Sequence, residues 1–309
     1  MGVNKHVVML SGGIGSWAAG KRVVERHGVQ DVTLLFTDVM MEDRDLYRFL
    51  IEGACTLFGQ SPPIQVLQWW QSVPEFHEDA EAFQRALEVL RADMAEILPP
   101  LTWIADGRDP WQVFIDERFL GGTRGDPCSK ILKRKMADRW LAENMNPANT
   151  IVHVGIDWSE SHRYTRLRDR RAETGWRYEA PMCDAPYMWK PDMLRWLKEE
   201  GIRPPRLYDL GFTHNNCGGF CVKAGIGHFA NLLRTLPERY AFHETKESEI
   251  REVVGWRQTI LRDRVGGTTK PLSLRDLRLR IENGGQIDLF DLGGCGCFVG
   301  SEELDTAAA

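Results

Sequence analysis

Six consecutive residues near the start of the chain, Ser11-Gly12-Gly13-Ile14-Gly15-Ser16, have the types and order of an anion cradle. Glycines let backbone amides approach a ligand closely. A helix beginning there offers the unpaired N–H groups of its first turn, and the two serines add hydroxyl donors. Holding phosphates is the chemistry such a loop supports. The plainer alternative is a glycine-rich turn that only joins strand to helix. Against it stands a second apolar run, Val32 to Phe36, that ends in Thr37-Asp38. Two successive units with polar residues at the carboxyl end of a strand mark the ligand side of an open α/β sheet. The loop lacks the lysine of a Walker sequence and the G-x-G-x-x-G spacing of a dinucleotide site, so neither of those nucleotide classes fits.

Thiols form the second chemical set. The seven cysteines are Cys55, Cys128, Cys183, Cys217, Cys221, Cys295 and Cys297, and four of them lie in two tight pairs. An odd, clustered set points to metal or thiol chemistry before disulfides. Cys55 sits in an apolar stretch and reads as a small buried hydrophobe. Cys128 opens a helix carrying Lys130, Lys133, Arg134 and Lys135, a setting that favours a thiolate; packing at a helix start is the bland reading. Cys217 and Cys221 are joined through glycines. Their spacing is unlike a two-residue zinc knuckle and tilts the expectation from zinc toward iron–sulfur. Cations form the third set. Asp157, Glu160, His162, Arg163, Arg166, Arg168, Arg170 and Arg171 follow the apolar run Thr150 to Ile156. They fit phosphate or sulfate groups, or a nucleic-acid backbone; a salt-bridged helix face is the alternative, since Asp169 and Glu173 are interleaved.

The elements that must position these residues follow from pattern. Val7 to Leu10 reads as a buried strand, Trp17 to Arg26 as a helix, Val32 to Phe36 as a strand, Leu46 to Phe58 as a helix and Ile64 to Trp69 as a short strand. Phe83, Leu87, Leu90, Met94 and Ile97 recur at helical steps, giving an amphipathic helix within 76–105 that reads as an insertion, covering the site or forming a homodimer contact. The fold expected is an open, mostly parallel α/β sheet with helices on both faces. It would occupy residues 1–225, followed by a helical, cysteine-containing extension over 226–300 and a frayed tail over 301–309. With 309 residues and a net charge of −5, the chain has no global pull toward nucleic acid, so any such binding must be local. It contains no apolar run of membrane-spanning length, which leads to the expectation of a cytoplasmic protein with no membrane partner.

At this point the residues carry a resemblance. Ser11-Gly12-Gly13-Ile14-Gly15-Ser16 resembles the phosphate loop (Ser-Gly-Gly-x-Asp-Ser) of the PP-loop ATP-pyrophosphatase superfamily, with Gly15 where many members have Asp. Trp111-x-Val-Phe, Cys128-Ser129-x-x-Leu132-Lys133, Val154-Gly155-Ile156 with Glu160 and Arg163, and Tyr208-Asp209-x-Gly211-Phe212 leading to Cys217-x-x-x-Cys221 are similar, in the same order, to segments of its phosphoadenylylsulfate reductase-like branch. The match spans residues 7–225. Ser129 replaces a second cysteine of that branch, and Gly294-Cys295-Gly296-Cys297 does not match its catalytic C-terminal cysteine, which brings the DNA phosphorothioation and cluster-dependent thiolation ATPases nearer.

The resemblance implies an adenine nucleotide alpha hydrolase-like fold and an adenylating enzyme that thiolates its substrate. Ser11, Gly12, Gly13, Gly15, Ser16, Asp38 and Arg166 would bind ATP with Mg²⁺, and Lys133, Asp157, Glu160 and Arg163 would act in the reaction. Cys128, Cys217 and Cys221 would hold a [4Fe–4S] cluster, closed by Cys295 or Cys297 or left open, with Zn²⁺ as the alternative metal. Substrates would be tRNA, DNA or a phosphorylated metabolite, with a sulfur-donor protein as partner. The rival readings are a sulfonucleotide reductase, a zinc-containing amide- or nitrile-forming ligase, and a non-enzymatic nucleic-acid-binding module.

Overall fold

A computed structural model describes residues 4–121, 125–265 and 268–293. The chain divides into two compact units. One takes Met1–Asp38, Glu42–Ala105 and Met136–Arg206, and the other takes Val39–Met41, Asp106–Lys135 and Leu207–Ala309.

The first unit is built on five strands: β1 (Lys5–Leu10), β2 (Val32–Asp38), β3 (Leu101–Ala105), β4 (Thr150–His153) and β5 (Arg177–Glu179). All neighbours are parallel and the order is β3-β2-β1-β4-β5. β1 lies at the centre, where Val7 pairs Thr33 of β2 on one side and Val152 of β4 on the other. Its residues Val7 to Leu10 are buried, as expected of a strand covered on both faces and read in the sequence as one unbroken apolar run. Helices flank both faces of the sheet, so it is an open, parallel α/β fold.

Local chemistry explains where these helices start. Asp43 caps helix Arg44–Leu57 by accepting the Asp45 N–H, and Asp79 caps helix Ala80–Ile97 by accepting that of Ala82. The latter helix buries Phe83, Leu87, Leu90 and Met94 and leaves Ile97 exposed. Residues 101–105, inside the span read as an insertion, form β3. Ile64 to Trp69, read as a strand, belongs to a helix, Ile64–Ser72. A short apolar run bounded by prolines has no period that separates the two, and no neighbouring strand was there to pair with it. β4 is also shorter than its apolar run: it ends at His153, the Val154 N–H still donates to Glu179 of β5, and the chain then leaves the sheet.

The second unit is mostly helical, with helices Pro110–Asp116, Ile226–Thr235, Pro237–Val254 and Leu274–Glu282, a π-helical segment Ser129–Lys135, and an antiparallel hairpin of β6 (Leu261–Val265) and β7 (Thr268–Leu272). Its core includes a stack in which the Trp111 indole donates to His243 Nδ1 at 3.1 Å and Phe220 lies against the same imidazole at 3.9 Å. Buried Glu247 accepts the N–H groups of Ile260 and Leu274 and so ties the hairpin to the last helix. Cys295, Cys297 and the tail 301–309 lie outside the described residues.

Candidate functional site

The strand order sets the location of the first candidate site. From β1 the chain moves outward to β2 and β3, then returns to the other side of β1 for β4 and β5. The carboxyl ends of β1 and β4 therefore form a topological switch point, where loops leave in opposite directions and open a crevice. Ser11–Ser16 leaves β1 there, and Val154–Glu160 leaves β4 there.

The loop is held by its own serines. Ser16 Oγ accepts the Ser11 N–H at 3.1 Å, lies 3.2 Å from the Ser11 hydroxyl, and donates to the Gly13 carbonyl at 2.8 Å. Helix Ile14–His27 starts immediately afterwards, with Gly13 as an uncapped N-cap. Among the described residues, neither the Gly13 nor the Gly15 amide donates to a backbone carbonyl outside the helix and strand ladders. The positive end of the helix dipole at such a start is suited to an anion. Two close approaches need glycine. Gly12 has φ +73° and lies under Leu46, while a Cβ on Gly15 would stand 2.8 Å from the Gly155 carbonyl. The contact is mutual, since a Cβ on Gly155 would stand 2.5 Å from Ser16 Cα and N. Nothing in the local sequence marks Gly155 as a determinant of the loop, because its role depends on a backbone more than a hundred residues away in the chain. A larger side chain at position 15 would enter space held by Gly155.

Asp38 closes β2 and is fully buried. One carboxylate oxygen accepts the Tyr47 hydroxyl at 2.8 Å and the other accepts the Trp103 indole N–H at 3.0 Å. Burial first, and then the Asp38 charge, raise the Tyr47 phenol well above its ordinary range, so it remains a donor. This geometry gives Asp38 a bracing part in the sheet. Asp38→Ala would strand two buried donors, and urea unfolding is expected to show a loss of about 2–4 kcal/mol.

Beyond β4, Asp157 caps a short turn by accepting the Ser159 N–H at 2.9 Å, and Arg163 pairs with Glu160. Arg168 pairs with Asp169, Arg171 pairs with Asp138, and Arg166 is exposed. The cation group is thus partly a salt-bridged helix face and partly open charge.

The second unit brings Cys128, Cys217 and Cys221 to the lining of one pocket, together with Asp126, Lys133 and Lys223. The expectation of a cluster there is overturned. Among the described residues, no three His, Cys, Asp or Glu side chains stand close enough together to hold a metal ion. The cavity is about 20 Å³, room for roughly one water molecule, and Val39, Phe220 and Val222 line the rest. The residues therefore fit neither a [4Fe–4S] cage nor a tetrahedral Zn²⁺ site, and Cys295 and Cys297 lie outside the described residues. Iron–sulfur-dependent sulfur transfer and the zinc ligase reading fall with that site.

The thiolate expected at Cys128 is also corrected. Although the residue's edge meets solvent, burial of the thiol, reinforced by Asp126, pushes it up to about 12 against the opposing pull of the Ser129 amide and Lys133. Burial likewise moves Cys55 and Cys183 up to about 11. All three are neutral thiols at pH 7, and the described cysteines are free of disulfides. Alkylation of Cys128 by iodoacetamide at pH 7.5, followed by peptide mass mapping, is expected to run about two to three orders of magnitude slower than for an unperturbed cysteine.

No family model matches this chain, and no curated protein is significantly similar to it. The functional reading therefore stands on the switch-point geometry. Among the described residues, no helix is long and apolar enough to cross a membrane.

Proposed function

We propose that the chain is a nucleotide-dependent enzyme of PP-loop type that takes ATP at Ser11–Ser16 and cleaves it between the α and β phosphorus atoms. The observation that supports this reading is the loop itself: a glycine turn at the switch point of a parallel sheet, presenting the amides of Gly13 and Gly15 at a helix N-terminus. A substrate oxygen attacks the α-phosphorus, the α–β bridging P–O bond breaks, and pyrophosphate leaves with the electron pair. The amides and the Ser11 hydroxyl take up the charge that develops on the leaving group. Ser16 positions the loop by holding Ser11 and Gly13. Arg163 and Arg166, early in helix Ser161–Ala172, supply positive charge to the phosphates, with Asp157 and Glu160 orienting that helix start.

The test is product analysis with ATP. Incubated with ATP alone, where water supplies the attacking oxygen and its proton passes to solvent, the protein is expected to release AMP and pyrophosphate, with turnover reduced roughly tenfold or more in Ser16→Ala. ADP and inorganic phosphate as products, or absence of both binding and turnover, would overturn the proposal.

A further inference from the structure

Three aromatic side chains near the switch point have no part in the ATP reading. Trp158 begins the turn after β4, only three residues beyond Gly155, which touches the phosphate loop. Its ring meets Trp189 edge to face with centroids 4.4 Å apart and meets Tyr187 at 5.6 Å. Tyr187 is 64% exposed and Trp189 57% exposed. Large rings left this open in a folded domain require an explanation, and packing within the unit does not supply one.

The group is braced rather than loose. The Trp158 indole donates to the Met188 carbonyl at 3.1 Å, and the Trp189 N–H donates to the Asp192 carboxylate at 3.0 Å. Two exposed rings are therefore presented on a supported backbone, with the ordering cost already met. The helix that follows Trp158, Ser161–Ala172, carries five arginines against a single aspartate. Arg166 on it is exposed, and the Arg168–Asp169 pair lies at the surface, where such pairs are weak, so a phosphate can replace the carboxylate. In a chain of net charge −5, this is a local concentration of positive charge beside exposed π faces.

We infer that Trp158, Tyr187 and Trp189 form a base-stacking platform for a single-stranded nucleic acid whose backbone runs along the arginines of helix Ser161–Ala172. Exposed rings recognise unpaired bases by stacking, and clustered arginines recognise successive phosphates. A duplex hides its base faces and gains nothing from the rings. The span of three residues from Gly155 to Trp158, at most about 11 Å of chain, places a stacked base within a nucleotide or two of the phosphate loop. The inference concerns binding alone and does not depend on ATP cleavage.

The experiment is fluorescence anisotropy of labelled dT12 and rU12, without ATP, at low and moderate salt. Salt-dependent binding of one or both oligomers is expected, and the preferred one shows whether the single strand is DNA or RNA. Tyr187→Ala and Trp189→Ala should each weaken binding at least about fivefold, the lower end of a single stacking contact, while Trp189→Phe retains most of it. Thermal melting of each variant establishes that the fold is intact, as expected at exposed positions. The inference is overturned if the double alanine variant binds like the wild type, if a duplex of the same sequence binds more tightly, or if a mononucleotide matches the oligomer. Failure to bind either oligomer at low salt also overturns it, and leaves the ATP reading untouched because that reading is scored by products.

Discussion

Gly155→Ala is expected to cost the chain at least tenfold in ATP affinity while leaving it folded. The methyl group would stand 2.5 Å from Ser16 N and Cα and 2.7 Å from the Gly15 carbonyl carbon. These are backbone atoms, so no side-chain rotation relieves the clash and the phosphate loop itself must move. Overpacking of this kind costs about 1–3 kcal/mol of stability. A displacement of even a fraction of an ångström spoils amides aimed at a phosphate. Gly15→Ala meets the same contact from the other side, 2.8 Å from the Gly155 carbonyl. The two substitutions therefore disturb one interface, and their combined effect on ATP affinity is expected to fall short of the sum. Gly15→Asp, which installs the residue common in the resembling family, should weaken binding rather than improve it. Isothermal titration of the variants with ATP, alongside thermal melts, checks each statement. Wild-type affinity in Gly155→Ala would show that the loop is not the nucleotide site.

Acid is expected to destabilise the first unit through His153. This side chain is 1% exposed at the end of β4, where its Nε2 lies 2.9 Å from Nδ1 of His6 on β1. His27 stacks on His6 at 4.0 Å. The His6–His153 contact needs one nitrogen with a proton and one without, so it is lost once both rings are protonated. Burial, and then the neighbouring His6, His27, Arg177 and Arg26, push His153 down to about 3; burial and His27 lower His6 as well. Glu179 lies 3.9 Å from His153 Nδ1, a separation that suggests an ion pair. Burial among nearby cations decides against it, and the ring is neutral. Asp31 faces His6 and opposes its lowering.

The sign follows from linkage. The unfolded chain takes up the proton near pH 6.5 and the folded chain only near pH 3. The stabilisation is therefore complete above pH 6.5 and is lost progressively as the pH falls toward 3. Two pH units below the unfolded value, the loss is about 3 kcal/mol. Urea unfolding at pH 7.5 and 4.5 should show that drop in the wild type. A markedly smaller drop is expected in His153→Gln, which keeps a hydrogen-bonding group beside His6 without titrating. Equal drops in both proteins would remove His153 as the cause.

The two glycine partners and the three histidines show what kind of information a linear chain carries. Strand β1 was legible because it is buried on both faces, which leaves an unbroken apolar run. Helix Ala80–Ile97 was legible because its buried stripe repeats at helical spacing. The glycine-rich turn was legible because glycines and serines are bunched where a strand gives way to a helix. Each of these signals is local, and local backbone preference produces it.

Other features required the chain to fold. Ile64–Ser72 is a helix because no adjacent strand accepts its hydrogen bonds, a fact about neighbours rather than about its own residues. Gly155 looked like one glycine among many until β4 came to lie beside β1. Asp38 reads in the sequence as a polar strand end, and only the folded chain shows that it accepts hydrogen bonds from Tyr47 and Trp103. The cysteines are the plainest case. Spacing brought Cys217 and Cys221 together on paper and chemistry added Cys128, yet a metal site needs several donor atoms converging within a few ångströms, and spacing along a chain sets no such distance. The sequence by itself determined the parallel α/β architecture and the glycine-rich turn between the first strand and its helix, since both follow from apolar periodicity and glycine. Only the tertiary structure decided which polar groups remain open to a ligand, because burial and partner geometry belong to the packed molecule.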